Sequence, residues 1–274
     1  MACETRTATV PRPRRGPWLR RLRPAPARPG AAHVVCFPHA GGSAAAFRPL
    51  GRELTGPYQV SAVQYPGRQD RIREERVEDL EELAARVHEE LAPLTGRPLT
   101  LLGHSMGALV AYEVARLLEQ AGTAPAHLLV SGAWAPSRVR GGTVHLRDDA
   151  GLLEEIRRTG GTDPRLLDHP DVLAMALPVL RGDYRAVETY HHRPGPPLST
   201  PVTALIGDSD PLVTVDEAAA WKEHTTGGFH LRLFPGGDHF YLTAHWPDLA
   251  RHITGGPVGQ ARRGGHRLRY SGQL

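Results

Sequence analysis

The chain has 274 residues, 40% of them hydrophobic, and a formal net charge of +4. This length allows one α/β domain with a complete core, and no apolar run approaches the ~20 residues of a membrane-spanning helix. The sequence contains only two cysteines, Cys3 and Cys36, so we expect no disulfide framework and a cytoplasmic location.

The positive charge is concentrated at the two ends. Residues 1–30 carry eight arginines and one glutamate, and residues 254–274 carry four arginines and no acid, which leaves a net −7 for the body. Both ends have too few large apolar residues to offset the entropy of ordering them, so we expect disordered tails around a domain at 31–253. No nucleic-acid-binding module accompanies the arginines, so we expect no nucleic-acid partner.

Apolar runs and helical patterns alternate along this domain. The runs that predict strands are residues 31–37, 58–65, 99–102, 127–132, 202–207 and 230–234. Residues 77–91 place apolar side chains on one helical face, and residues 108–120 predict a second helix. Because strands separated by helices are typical of βαβ units, the sequence predicts an α/β fold with a mostly parallel, doubly wound sheet.

The alternation stops at about residues 137–197. This region contains helical patches, including 150–158 and 172–181, but no good strand pattern. Ligands of such sheets bind at the carboxyl edge of the strands, and an insertion between two strands emerges at that edge. We therefore expect a helical lid there.

The segment Gly103-His104-Ser105-Met106-Gly107 joins a predicted strand to a predicted helix. The spacing is that of the G-x-S-x-G nucleophile elbow, in which a tight turn exposes the serine hydroxyl. The glycines lack the Cβ atoms that would collide in that turn, and the Met106 N–H at the helix start would face an oxyanion. Alone, the same residues would also fit an ordinary Gly/Ser turn.

A nucleophilic serine needs a base, and the chain has 15 histidines. His239 follows the last predicted strand, in a loop at the expected edge of the sheet, and is the preferred candidate. We interpret the alternatives His224, His230 and His245 as surface or helix residues. In the fold that carries this elbow, the chain order is serine, acid, histidine.

The acid should therefore lie between the serine and the histidine. Asp210 lies one loop turn after a predicted strand, and Pro211 fixes that turn. Asp208 is the alternative, although it could instead accept hydrogen bonds from local backbone. Asp216 fits a helix N-cap, and Asp238 adjoins His239, where neighbouring side chains point in opposite directions.

The second oxyanion donor should come from the loop after the first predicted core strand. Residues 38–42 form that loop, and their small side chains allow backbone N–H groups to approach a ligand. We choose the Ala40 N–H, to act together with that of Met106. The sequence contains no zinc or haem spacing and no phosphate-binding loop, so we expect no metal and no cofactor.

Five motifs occur in this order along the chain: Phe37-Pro38-His39-Ala40-Gly41-Gly42-Ser43, Gln64-Tyr65-Pro66-Gly67-Arg68, Gly103-His104-Ser105-Met106-Gly107-Ala108, Gly207-Asp208-Ser209-Asp210-Pro211 and Gly237-Asp238-His239-Phe240. Together they resemble a known family, the external type II thioesterases of polyketide and nonribosomal peptide synthesis. The resemblance implies an α/β-hydrolase fold with a helical lid. It also implies hydrolysis of aberrant acyl groups from the phosphopantetheine arms of carrier proteins. Ser105, His239 and Asp210 would form the catalytic triad.

Two other functions remain open on the sequence, a small-molecule carboxylesterase of the same fold and a non-catalytic binding protein on this scaffold. Because carrier proteins are usually acidic and the body is itself negative, we expect docking on a local basic patch. The candidates are the arginines at Arg68, Arg71, Arg73 and Arg76, or those at Arg138, Arg140 and Arg147. The apolar lid residues should form an acyl chamber.

Overall fold

The computed structural model describes residues 18–23, 30–160 and 168–255. Within these ranges the strands are β1 Leu19–Arg21, β2 Ala32–Phe37, β3 Tyr58–Val63, β4 Leu99–His104, β5 His127–Ser131, β6 Val202–Gly207 and β7 Phe229–Phe234. The α-helices are α1 Arg48–Glu53, α2 Leu80–Leu91, α3 Met106–Gln120, α4 Asp149–Thr159, α5 Pro170–Glu188, α6 Val215–Ala219 and α7 Trp246–Gly255. None of the helices in these ranges is long and apolar enough to cross a membrane.

The described strands form one sheet in the order β1-β3-β2-β4-β5-β6-β7, parallel except for β1. Successive side chains of a strand enter opposite layers: Val34 packs on the side of α1 and α7, whereas Val35 packs on the side of α2 and α3. Because both faces are covered, the central strands are continuous apolar runs. The predicted mostly parallel, doubly wound sheet is confirmed.

The edge strand β1 lies inside the segment for which we expected disorder. Trp18 is 3% exposed, its carbonyl accepts from the Gln64 N–H at 2.7 Å, and the Arg71 guanidinium lies 4.4 Å from its ring centre. The expectation was wrong for residues 18–23 because composition averaged over 30 residues concealed one short strand that covers the edge of β3. The rest of both predicted tails, residues 1–17, 24–29 and 256–274, lies outside the described residues.

Two helix starts differ from the sequence patterns because capping, rather than apolar spacing, sets them. Helix α2 begins at Leu80, after the Asp79 side chain accepts from the Glu82 N–H at 2.8 Å. Helix α6 is capped by Thr214, which forms a reciprocal capping box with Glu217. The interpretation of Asp216 as an N-cap was therefore wrong.

The insertion between β5 and β6 contains helices and no strand of the sheet in its described part. It contains α4 and the 19-residue α5, which is longer than the pattern at 172–181 indicated. The two helices share a small apolar core around Leu152, Ile156 and Leu177. Residues of both helices line the same cavity as Ser105, so the insertion covers the carboxyl edge of the sheet.

Candidate active site

Ser105 lies at the apex of a sharp turn between β4 and α3. Its backbone has φ 54° and ψ −123°, a region that side-chain-bearing residues rarely occupy. A Cβ on Gly103 would lie 2.2 Å from the Gly107 carbonyl oxygen, and one on Gly107 would lie 2.0 Å from that of Phe37. Both glycines are therefore required by close backbone contacts, as the elbow spacing predicted.

The structure brings Ser105, His239 and Asp210 into one hydrogen-bonded series. His239 Nδ1 lies 2.8 Å from Asp210 Oδ2, and His239 Nε2 lies 3.0 Å from Ser105 Oγ. Because a carboxylate only accepts, Nδ1–H donates to Asp210, and Nε2 is left to accept from the serine hydroxyl. This arrangement can remove a proton from Ser105.

The Asp210 side chain is fully buried and is held by the backbone of its own loop. Its Oδ1 accepts from the N–H groups of Leu212 at 2.8 Å and Val213 at 3.3 Å, while its other oxygen faces His239. Asp208 instead accepts from the Gly236 N–H at 2.7 Å, and Asp238 accepts from the N–H two residues later. Both alternative acids thus accept from backbone N–H groups and not from His239.

The alternative histidines lie elsewhere. His224 is buried between Tyr112 and Ser137, His245 pairs with Asp248, and His230 is exposed on β7. Their hydrogen bonds and positions separate them from the serine.

Two further histidines, which the sequence analysis did not single out, lie near His239. The His104 ring centre lies 5.2 Å from that of His239, and His39 lies 5.7 Å from His104. Burial lowers the pKa of His39 to about 4 and the pKa of His104 well below its usual value. Both rings are therefore neutral at pH 7 and place no positive charge beside His239.

The loop at residues 38–42 turns sharply beside the serine. The Gly42 N–H donates to the His39 carbonyl at 2.9 Å, and Gly41 has φ 75°, as the third residue of a type II turn requires. Ala40 and Met106 both line the cavity that contains Ser105. The structure therefore places the two predicted oxyanion donors around the same cavity.

A buried ion pair holds this loop against the insertion. Asp183, on α5, accepts from the Gly41 N–H at 2.7 Å and pairs with both terminal nitrogens of Arg68 at 2.6 and 2.8 Å. Arg68 also donates to the Gly42 carbonyl at 3.1 Å. The residues around Asp183 in the sequence form no pattern that predicts its pairing with Arg68.

The two arginine groups suggested for docking are largely engaged within the protein. Arg68 and Arg71 are buried, and Arg71 pairs with Glu74. In the second group, the ion pairs are Arg138–Glu223, Arg140–Glu217 and Arg147–Glu155. These contacts contradict Arg68 and Arg71 as docking residues and weaken the second group, because folding already neutralises those charges.

The cavity above Ser105 has a volume of about 470 Å³. Its lining includes Ser105 and His239, and most of the other lining residues are apolar. The side chains that make it apolar come from α3 and the insertion: Leu109, Ile156, Leu173, Leu177, Leu180 and Val187. It can hold an acyl chain beside the serine. No group of three or more His, Cys, Asp or Glu among the described residues is placed to hold a metal ion.

Comparison with known proteins agrees with this geometry. Residues 32–255 match the family model described as "Thioesterase domain". The chain belongs to the thioesterase family. The expected α/β-hydrolase fold and thioester-hydrolysing enzyme class are confirmed at the level of that family.

Named relatives support a narrower group within the thioesterases. The chain is 50% identical over 228 residues to a "Probable cadicidin biosynthesis thioesterase" of Streptomyces griseus, covering 83% of this chain but 62% of that protein. It is 48% identical to "Thioesterase PikA5" of Streptomyces venezuelae, and the match covers 87% of this chain and 85% of that protein. Among solved structures it resembles the type II thioesterase BorB from the borrelidin biosynthetic cluster, at 47% identity and a TM-score of 0.81. The match covers 88% of this chain and 97% of the BorB chain.

Proposed function

We propose that this thioesterase hydrolyses acyl thioesters on the phosphopantetheine arms of carrier proteins and so removes aberrant acyl groups from a polyketide or nonribosomal peptide synthase. The observation that carries the proposal is the Ser105–His239–Asp210 series beside a mostly apolar cavity. Relatives named as type II thioesterases of biosynthetic clusters support the substrate class. A cytoplasmic location is part of the proposal.

In the first half of the reaction, Ser105 Oγ attacks the thioester carbonyl while His239 Nε2 accepts its proton. The Asp210 carboxylate holds the imidazole in the required tautomer and stabilises the imidazolium. The two neutral histidines beside it add no repulsion to that charge. When the carbon–sulfur bond breaks, His239 gives the proton to the departing thiolate sulfur, and the acyl group remains on Ser105.

In the second half, water attacks the acyl-serine. His239 accepts a proton from that water and returns it to Ser105 when the acid departs. The N–H groups of Ala40 and Met106 stabilise the oxyanion in both halves. Every proton transfer uses His239, so the mechanism needs no metal or cofactor.

A matched set of substrates tests the substrate class. One acyl group is presented on a carrier protein, on N-acetylcysteamine as a free thioester, and on N-acetylethanolamine as the oxygen analogue. We expect kcat/KM to be highest for the carrier form and lowest for the oxoester, with Ser105→Ala as the inactive control. Preference for the oxoester and indifference to the carrier would instead indicate a carboxylesterase, and no turnover of any form by the folded protein would indicate a binding protein.

A further inference from the structure

A second concavity, of about 400 Å³, lies beside the catalytic cavity on the surface formed by β1 and α1. We call it the basic concavity. Its charged lining residues are four arginines and one aspartate: Arg20, Arg21, Arg48, Arg52 and Asp70. It therefore carries a net positive charge, whereas residues 31–253 together carry a net −7.

Most of this charge is available to a partner. Arg20 pairs with Asp70, but Arg21, Arg48 and Arg52 are exposed and form no ion pair with any residue in the described ranges. Arg48 and Arg52 also stand one turn apart on α1, a spacing at which like charges repel. This repulsion does not stabilise the folded chain, whereas binding of an acidic partner would relieve it.

The basic concavity adjoins the catalytic cavity through Gln69, which lines both. Gln69 has φ 52°, and it and Ser105 are the two non-glycine residues with positive φ in the described part of the chain. Strained backbone of this kind persists where surrounding structure enforces it, commonly at functional sites. Gln69 therefore lies at the boundary between the two cavities.

The other basic surfaces near the insertion do not offer the same charge. Residues 73–79 contain two arginines and four acids. The arginines at the start of the insertion are paired with glutamates.

We propose that the basic concavity is the docking surface for an acidic carrier protein, whose phosphopantetheine arm crosses Gln69 to reach Ser105. The inference rests on the proposed function and adds the surface that recognises the partner. Because the body is negative overall, attraction would be short-ranged and confined to this patch.

The decisive variant is Arg48→Glu/Arg52→Glu in the full chain. The matched control is Arg97→Glu/Lys222→Glu, which makes the same change in net charge at two exposed residues that line neither cavity. Both variants are checked for folding by circular dichroism and Tm. Each is assayed on one acyl group carried by a carrier protein, by free phosphopantetheine and by N-acetylcysteamine, at low and high salt.

We expect the decisive variant to raise KM for the carrier form by at least about tenfold and to lose most of the salt dependence of that reaction. Its kinetics on the two small thioesters should match those of the wild type, and the control should behave as wild type on all three. An equal rise in KM with free acyl-phosphopantetheine would show that the arginines bind only a phosphate and would overturn the docking surface. Carrier kinetics unchanged from the control would also overturn it, whereas failure of the wild type on the carrier form would refute the proposed function itself.

Discussion

Arg68 and Asp183 form a two-point ion pair, with nitrogen–oxygen distances of 2.6 and 2.8 Å, at side-chain exposures of 8% and 2%. The pair joins the loop after β3 to the insertion helix α5, and Asp183 also accepts from the Gly41 N–H. Since Ala40 precedes Gly41, the ion pair fixes the backbone that carries the proposed oxyanion donor.

Asp183→Asn should therefore lower kcat by about 10- to 100-fold with little change in KM. The amide keeps an acceptor for Gly41 but removes the charge that holds Arg68, and a displaced oxyanion donor acts mainly on the transition state. Steady-state kinetics on a free thioester, and affinity for a boronic acid that forms a tetrahedral adduct with the serine, measure this. Glu74→Gln is the control, because it breaks the ion pair of the other buried arginine, Arg71. An equal loss of kcat in both variants would show that the Arg68–Asp183 pair only stabilises the fold.

Ser105→Ala and His239→Ala should each lower kcat by at least ~10³-fold, and the double variant should be little worse than either, because members of a triad act as a unit. Single-turnover kinetics on a free thioester measure the loss, with circular dichroism to verify folding. Near-native turnover by the folded His239→Ala variant would contradict the assignment of His239 as the catalytic base.

Asp210→Asn should cost on the order of 10³–10⁴-fold in kcat, because an amide opposite Nδ1 favours the wrong imidazole tautomer. Asp208→Asn should cost much less, since its contacts are to the Gly236 N–H and Ser209 rather than to His239. The two purified variants are compared at several pH values. The reverse ranking would move the acid to Asp208.

Trp18→Ala should lower the unfolding free energy by about 3 kcal/mol, since it removes a buried indole and its contact with Arg71. Chemical denaturation measures the change. A chain lacking residues 1–23 should likewise be less stable than one lacking residues 1–17, because only the former loses β1. Equal stability of the two truncations would contradict a structural role for this edge strand.

Stability should fall as the pH decreases from about 6.5 to 4. Burial lowers the pKa of His127 and of His33 to about 4, so the unfolded chain binds protons in this window that the native state does not. A pKa change of this size corresponds to about 3 kcal/mol for each histidine. His127→Gln should remove about one proton from the pH slope of the unfolding free energy measured for the wild type. An unchanged slope in the folded variant would contradict the burial effect.

The sequence alone was sufficient to predict the parallel strands of the sheet, the elbow and the three residues of the hydrogen-bonded series. Apolar runs of strand length, the glycine spacing around Ser105, and the positions of Asp210 and His239 just after predicted strands are local signals. In a parallel sheet the carboxyl ends of the strands share one edge, so local placement determines which residues meet. For this reason Ser105 and His239, 134 positions apart, could be paired in advance.

The tertiary structure decided what depends on partners distant in sequence. Arg68 belongs to a recognisable motif, but only folding shows that it pairs with Asp183, 115 positions away, and is buried rather than available for docking. Trp18 becomes ordered because β3 offers an unpaired edge, and Arg48 and Arg52 gain their proposed role because β1 and Gln69 lie beside them. Whether a charge is neutralised or left exposed depends on the three-dimensional neighbours of that residue, which composition and periodicity do not contain.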